Sequence, residues 1–211
     1  MIIDETAFTG INSIVNINEP DPNSGTANLL ASLIEVCENE VLSIAFGRVM
    51  YNDFKANLSQ QNYIDLLEGK EYQLNGNTFY FDGLNERTER SSLLTDYTYY
   101  RYNTINITQN SEFGQVAADT KVGNRVSSTP KLVSAWNRFV EKFQGINQST
   151  GITDEGNPFW ILNRGVTYFS ESIDGGNVSL MRFLQDNKES YPLLDSGNLF
   201  NLEFKTSFGI C

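Results

Sequence analysis

Hydrophobic residues between positions 26 and 56 recur at steps of three and four. The stripe consists of Leu30, Leu33, Ile34, Cys37, Val41, Ile44 and Ala45. This period is typical of an amphipathic helix with one buried face, and Thr26 is a suitable cap at its start. We therefore predict a helix from Thr26, with a break near Glu38-Asn39-Glu40 and further helix through Val49, Met50 and Phe54.

The stretch from 59 to 82 predicts a short helix followed by a β-hairpin. SQQNYIDLLEG has Ser59 as a candidate cap and Gly69 as a stop signal. Asn75-Gly76 is a preferred two-residue hairpin turn, because both positions need positive φ. The hairpin spans about 71–82 and pairs Tyr72 with Phe79 and Leu74 with Asn77. Tyr72, Leu74, Phe79 and Phe81 then share one face.

LLTDYTYYRY, residues 93–102, predicts a helix with aromatic surface on more than one side, capped by Ser91 or Ser92. Its tyrosines suit a core helix, a contact between subunits or a stacking surface for single-stranded nucleic acid. Nucleic-acid stacking needs several nearby cations, and Arg101 is the only one in the stretch. By helical spacing we assign Tyr97 and Tyr100 inward, and Tyr99 and Tyr102 to a partner subunit.

The remaining chain predicts one long helix between irregular segments. Residues 108–128 form a long loop, and Thr129-Pro130 opens a helix that Gly145 ends. The apolar stripe of that helix is Leu132, Val133, Trp136, Phe139, Val140 and Phe143. We expect a strand in 166–170 and a short helix in 177–187.

The last residues alternate strictly between apolar and polar. Leu202, Phe204, Thr206, Phe208 and Ile210 alternate with Asn201, Glu203, Lys205, Ser207 and Gly209. This period of two predicts a strand with one buried face, which has no adjacent hairpin partner. We therefore assign Leu202, Phe204, Phe208 and Ile210, together with Tyr99 and Tyr102, to contacts with a neighbouring subunit.

These elements predict an α+β, mainly α fold. The core is a helical bundle at 26–145 with the inserted hairpin at about 71–82. Residues 1–25, with two prolines and no period that would bury them, form an extended N-terminal arm. Residues 146–211 form an irregular extension that ends in the tail strand.

Charge and residue types narrow the chemistry. Fifteen Lys and Arg against 26 Asp and Glu give a net charge of −11, which disfavours sequence-independent binding to phosphate backbones. The chain has no histidine, which removes histidine-dependent catalysis and most zinc and iron sites. We therefore expect no enzymatic activity, no bound cofactor and no metal site. No run of 18 apolar residues predicts a membrane span, and Cys37 and Cys211 suit free thiols in a reducing compartment.

One enzymatic alternative remains, because a carboxylate pair can cleave glycosides without histidine. Asp154-Glu155 lies close to Phe159 and Trp160, an arrangement that would suit a sugar site. The same residues also suit a polar turn before an aromatic anchor, since TDEGNP is composed of turn formers. A carbohydrate-binding or glycoside-active protein is thus one alternative function.

The order of these segments resembles a known family. LLTDYTYYRYNTINITQNSEFGQVAADTKVGNRVSSTPKLVSAWNRFVEKF resembles the central part of head–tail connector proteins of tailed bacteriophages, in particular the ring or adaptor proteins of crAss-like and other Bacteroidetes phages. The shared layout is an amphipathic helix at 26–50, a Tyr-rich helix that runs into a Thr- and Gly-bearing loop, and a third helix with Trp136-Asn137-Arg138-Phe139. The resemblance covers roughly residues 26–145.

The resemblance implies a structural virion protein without an active site. Such proteins form a ring, usually twelvefold, below the portal at the neck between head and tail. The implied partners are further copies of the chain, the portal protein and the next ring or tail protein, while DNA only passes through the channel. Assembly would take place in the bacterial host cytoplasm. Another virion auxiliary or fibre-base protein, without ring geometry, is a further alternative.

Overall fold

The computed structural model describes residues 2–14, 25–85, 91–106, 108–111, 114–117, 129–145, 168–169 and 175–195. The helices in these ranges are α1 (Gly25–Phe46), α2 (Arg48–Ala56), α3 (Gln61–Glu68), α4 (Leu93–Asn106), α5 (Thr129–Gln144) and α6 (Leu180–Asp186). The strands are β1 (Lys70–Leu74), β2 (Asn77–Phe81), β3 (Thr108–Ser111), β4 (Gly114–Ala117), β5 (Tyr168–Phe169) and β6 (Gly176–Val178). The predicted α+β, mainly α class is confirmed.

The break in the first predicted helix lies further along the chain than its polar residues indicated. The predicted break at Glu38-Asn39-Glu40 is wrong, because α1 continues through these residues to Phe46. Gly47, at φ 75°, separates α1 from α2. A Cβ at this position would lie 2.5 Å from the side chain of Asp195, whose N–H donates to the Phe46 carbonyl. The junction therefore requires glycine both for its φ and for this close approach.

The helix and hairpin at 61–81 form largely as the local sequence predicts. Helix α3 ends at Gly69 as predicted, but the residue before its first turn is Gln60 rather than Ser59. Asn75 and Gly76 take φ values of 53° and 84°, as the two-residue turn requires. The predicted pairs Tyr72 with Phe79 and Leu74 with Asn77 are confirmed.

The hairpin is part of a larger sheet with strand order β1-β2-β6-β5. Strand β6 pairs parallel to β2, and β5 pairs parallel to β6. On the core side, the Phe183 ring of α6 stacks on Phe81 at 4.4 Å and meets the edge of Tyr72 at 5.5 Å. Residues 168–169 and 175–195, predicted to be part of an irregular extension, thus complete the sheet and its core.

The segment predicted to be a loop contains a second hairpin. Strands β3 and β4 pair antiparallel, with Thr108 opposite Ala117 and Ser111 opposite Gly114. The four residues of β3, TQNS, are all polar, so this strand has no alternation of the kind that identifies a half-buried strand. Backbone pairing rather than an apolar face defines it.

Helices α4 and α5 pack directly against each other, and α4 also packs against α1. The Ser92 Oγ accepts from the Thr95 N–H at 3.1 Å and caps α4. Aromatic contacts join α4 to α5: Tyr97 lies 4.8 Å from Phe139 and Tyr100 lies 5.0 Å from Trp136, measured between ring centroids. Within the described ranges, no helix is both long and apolar enough to cross a membrane.

The N-terminal segment, residues 2–14, packs onto the core. Ile3, Phe8, Asn12 and Ile14 are buried there, so the prediction that residues 1–25 form an extended arm is wrong for residues 2–14. Short 3-10 turns at Glu5–Ala7 and Gly10–Asn12 bring residues to the core at spacings that fit neither helix nor strand. This irregular spacing explains why the burial is not evident in the sequence.

Phe8 and Ile11 provide a test of this docking, since they share the segment but differ in burial. Phe8 is 4% exposed and Ile11 is 58% exposed. We expect Phe8→Ala to lower the free energy of unfolding in urea by about 3–5 kcal/mol, through lost burial and a new cavity. Ile11→Ala is the matched control and should change it by less than about 0.5 kcal/mol. Equal effects of the two substitutions would contradict the docking.

Candidate functional site

The carboxylate of Asp96, in the first turn of α4, is surrounded by hydrogen-bond donors from several segments of the chain. Asp96 is fully buried. Its Oδ1 accepts from Asn12 Nδ2 and Arg138 Nε, each at 2.9 Å. Its Oδ2 accepts from Ser91 Oγ and Lys142 Nζ, each at 2.8 Å. Both oxygens are thereby satisfied, as a buried carboxylate requires.

The partners of Asp96 also bind one another. Arg138 donates from Nη2 to Asn12 Oδ1 and from Nη1 to Ser134 Oγ, both at 2.8 Å. Lys142 Nζ donates to the carbonyl and the Oγ of Ser91 as well as to Asp96. We call Asn12, Ser91, Asp96, Arg138 and Lys142 the Asp96 network. It joins the N-terminal segment, the residue pair Ser91-Ser92 before α4, α4 itself and α5.

Helix geometry explains how two cations reach one carboxylate. Arg138 and Lys142 are four residues apart on α5, so they lie on one face about one turn apart. Asp96 lies near the start of α4, where the helix dipole also favours a negative charge. Sequence analysis missed this site. The available signal was an acidic residue inside an aromatic helix, matched by two cations one turn apart in another aromatic helix.

The distance of 3.2 Å between Ser91 Oγ and Lys142 Nζ raises the question of a Ser–Lys hydrolase pair. Such a pair needs a lysine that removes the serine proton. Here Lys142 donates to Asp96 and to both oxygens of Ser91, and Ser91 Oγ itself donates to Asp96. The adjoining cleft has room for about one water molecule. We therefore interpret the network as a structural connection between helices.

A second cluster joins α4 to α1. The Tyr97 hydroxyl donates to Glu40 Oε2 at 2.9 Å, and Arg101 Nη1 lies 3.3 Å from the same oxygen. Burial, followed by the hydrogen bond to Glu40, raises the pKa of Tyr97. Cys37 is fully buried, and burial raises the pKa of its thiol to about 11.

Other carboxylates also accept hydrogen bonds from tyrosines. Tyr63 donates to Asp53 at 2.5 Å, Tyr72 to Asp186 at 2.7 Å, and Tyr168 to Asp82 at 2.6 Å. Burial raises the pKa of Tyr63 to about 12, with a further contribution from Asp53. Part of the acidic character of the chain therefore serves to satisfy tyrosine hydroxyls at the edge of the core.

The predicted division of the α4 tyrosines is wrong for Tyr99, which is 7% exposed and belongs to the hydrophobic core. Tyr97, Tyr100 and Tyr102 are each partly buried against that core. Helix α4 contacts α1, α5 and the N-terminal segment, so it is covered on more sides than its spacing alone indicated. A contact between Tyr102 and another subunit stays a prediction.

The other predicted site residues lie outside the described residues. These are Leu202, Phe204, Phe208 and Ile210 of the tail, and Asp154 and Glu155 of the alternative sugar site. In the part of the chain that the structure describes, no group of three or more acidic or cysteine side chains is placed to hold a metal ion.

Asp96→Asn tests the contribution of the Asp96 network to stability. The substitution keeps the side-chain shape but leaves Arg138 and Lys142 facing a neutral group, and we expect it to cost about 3–5 kcal/mol of unfolding free energy in urea. Asp65→Asn is the control, because it removes a pair with Lys70, whose side chain is 42% exposed, and should cost less than about 1 kcal/mol. If Asp96→Asn leaves the unfolding free energy unchanged, the network does not stabilise the fold.

The raised pKa of the Cys37 thiol leads us to expect a loss of folding stability at alkaline pH. Its pKa is about 11 in the folded chain, against an ordinary value of 9.0, so the folded state holds the thiol proton more tightly. The resulting stability is fully present below pH 9 and is lost as the pH rises towards 11. The stability difference between wild type and Cys37→Ala, measured by urea unfolding at pH 8, 9, 10 and 11, should therefore shrink with pH. A constant difference would contradict the assignment.

Comparison with known proteins adds no relative from which a role could be transferred: no family model, no curated protein and no solved structure matches this chain.

Proposed function

We propose that this chain is a structural subunit of the head–tail connector of a tailed bacteriophage, forming a ring below the portal and around the DNA channel. The observation that carries the proposal is the packing of the three helices that resemble the connector family's layout. Helices α1, α4 and α5 follow the order of the family layout and contact one another through α4. Ion pairs of the Asp96 network join α4 to α5. The hydrogen bond from Tyr97 to Glu40 joins α4 to α1.

A ring subunit needs a rigid body, because small changes in the angle between neighbours accumulate around a closed ring. Buried ion pairs with complete hydrogen bonding favour one arrangement of the helices they join, since any other arrangement leaves a charge without a partner. Such buried ion pairs, together with aromatic packing, join α4 to α5. Helix α1 is joined to α4 by the partly exposed pair of Glu40 with Arg101 and by the hydrogen bond from Tyr97. The defined arrangement of α4 and α5 supports a role in assembly.

The charge and the surface of the chain also support this role. A net charge of −11 suits the wall of a channel through which DNA passes without being held. Helix α1 leaves Leu29 and Val36, seven residues apart and thus on one side, 42% and 46% exposed. Ring contacts with neighbouring subunits would cover apolar side chains of this kind.

The test is assembly on the portal. The purified chain would be mixed with the portal protein of the proposed phage, and particles would be measured by mass photometry and negative-stain electron microscopy. We expect a closed ring on the portal and, for a chain truncated after Asn198, a folded monomer that does not assemble. Circular dichroism and urea unfolding of the truncated chain check its fold.

Three results would contradict the proposal or its assignment of the tail. A full-length chain that stays monomeric with the portal excludes a connector ring, and binding to a different virion protein without ring formation indicates an auxiliary or fibre-base role. A truncated chain that fails to fold would place residues 199–211 in the core of the monomer, which would contradict their assignment to assembly.

A further inference from the structure

Strand β1 lies at the edge of the four-stranded sheet, and among the described strands it pairs only with β2. Leu74 and Asn77 flank the two-residue turn and form the first hydrogen-bonded pair, so Tyr72 and Lys70 also direct their backbone groups towards β2. The N–H and C=O groups of Glu71 and Gln73 therefore point away from the sheet. This edge offers hydrogen-bonding groups to one more strand.

The two faces of β1 determine what such a strand must look like. Tyr72 is buried on the core face and Leu74 is partly buried beside it, whereas Glu71 and Gln73 are exposed on the opposite face. An added strand continues both faces. It must therefore alternate apolar residues, next to Tyr72 and Leu74, with polar residues, next to Glu71 and Gln73.

Residues 201–205 have this alternation in the sequence, although they lie outside the described residues. We propose that the tail of a second copy of this chain adds antiparallel to the edge of β1 that faces away from β2. Lys205 lies beside Glu71, Phe204 beside Tyr72, Glu203 beside Gln73, and Leu202 beside Leu74. This inference rests on the proposed function, in which copies of the chain contact one another.

Charge and period together favour this register. Lys205 and Glu71 form an opposite-charge cross-strand pair. Shifting the tail by one residue would place Glu203 and Lys205 on the core face. Shifting it by two residues in one direction would place Glu203 beside Glu71, where like charges repel. The pairing is heterologous, since a tail meets a different surface on its neighbour, and repeated contacts of this type form a ring when the rotation closes.

Disulfide formation between separate copies tests the register. In a Cys211→Ser background, a chain with Gln73→Cys would be mixed with a chain with Glu203→Cys and oxidised. Directly paired residues have Cα atoms about 5.5 Å apart, within disulfide range. We expect cross-linked dimers that contain one chain of each type. The matched control replaces Glu203→Cys with Ser207→Cys, which is displaced by about 13 Å along the strand and should give no such dimer.

A charge reversal provides a second measurement. Glu71→Lys, introduced into the chain that carries Gln73→Cys, should lower the yield of cross-linked dimer roughly two- to fivefold at limiting protein concentration. Adding Lys205→Glu to the chain that carries Glu203→Cys should restore it. A yield that does not respond to either change would overturn the proposed register.

Further outcomes separate this inference from the proposed function. If a chain with both Gln73→Cys and Glu203→Cys cross-links only within itself, the tail occupies its own sheet and the inference is wrong. If rings form on the portal without the cross-link, the edge assignment is wrong while the connector role stands. If the cross-link forms between copies but no ring assembles on the portal, the contact stands and the connector role is wrong.

Discussion

The buried carboxylate of Asp96 fixes the relative positions of several segments that are distant in sequence. A charged group without access to water is stable only when donors surround it in the correct geometry. Its donors come from residues 12, 91, 138 and 142. The N-terminal segment, Ser91 before α4 and one face of α5 must therefore all be in place together. Moving any of them leaves a buried charge or donor without its partner.

Two further acids extend this constraint to α1. Glu38 Oε1 accepts from the backbone N–H groups of Ile2 and Ile3, while Glu40 accepts from Tyr97. The N-terminal segment is thus held near its start by α1 and at Asn12 by α4 and α5. Glu38 also shows why α1 is not interrupted: the polar residues in its middle are used in contacts rather than in a turn. Glu38, Glu40 and Asp96 thus add specific acceptors to a core that is mainly apolar.

Local signals in the sequence were sufficient where an element depends only on its neighbours. The Asn75-Gly76 turn sets the hairpin register, and Gly145 ends α5 as predicted, at φ 79°. The addition of β6 to β2 could not be predicted, because Phe79 pairs with Gly176 almost a hundred residues later. Tyr99 was misassigned for a related reason: helical spacing gives the faces of α4 but not which neighbours cover them. The Asp96 network depends on the same long-range geometry.

The contact between Gly47 and Asp195 fixes the position of the last described residue against the junction of α1 and α2. Asp195 is bonded through its N–H to the last residue of α1 and lies against a glycine that could not be larger. From that anchor to Leu202 are seven residues, which span at most about 25 Å when extended. If the tail pairs with a neighbour, the α1–α2 junction of one subunit and the β1 edge of the next must lie within that reach. The length of the connecting segment would then set an upper limit on the distance between those two sites in neighbouring subunits.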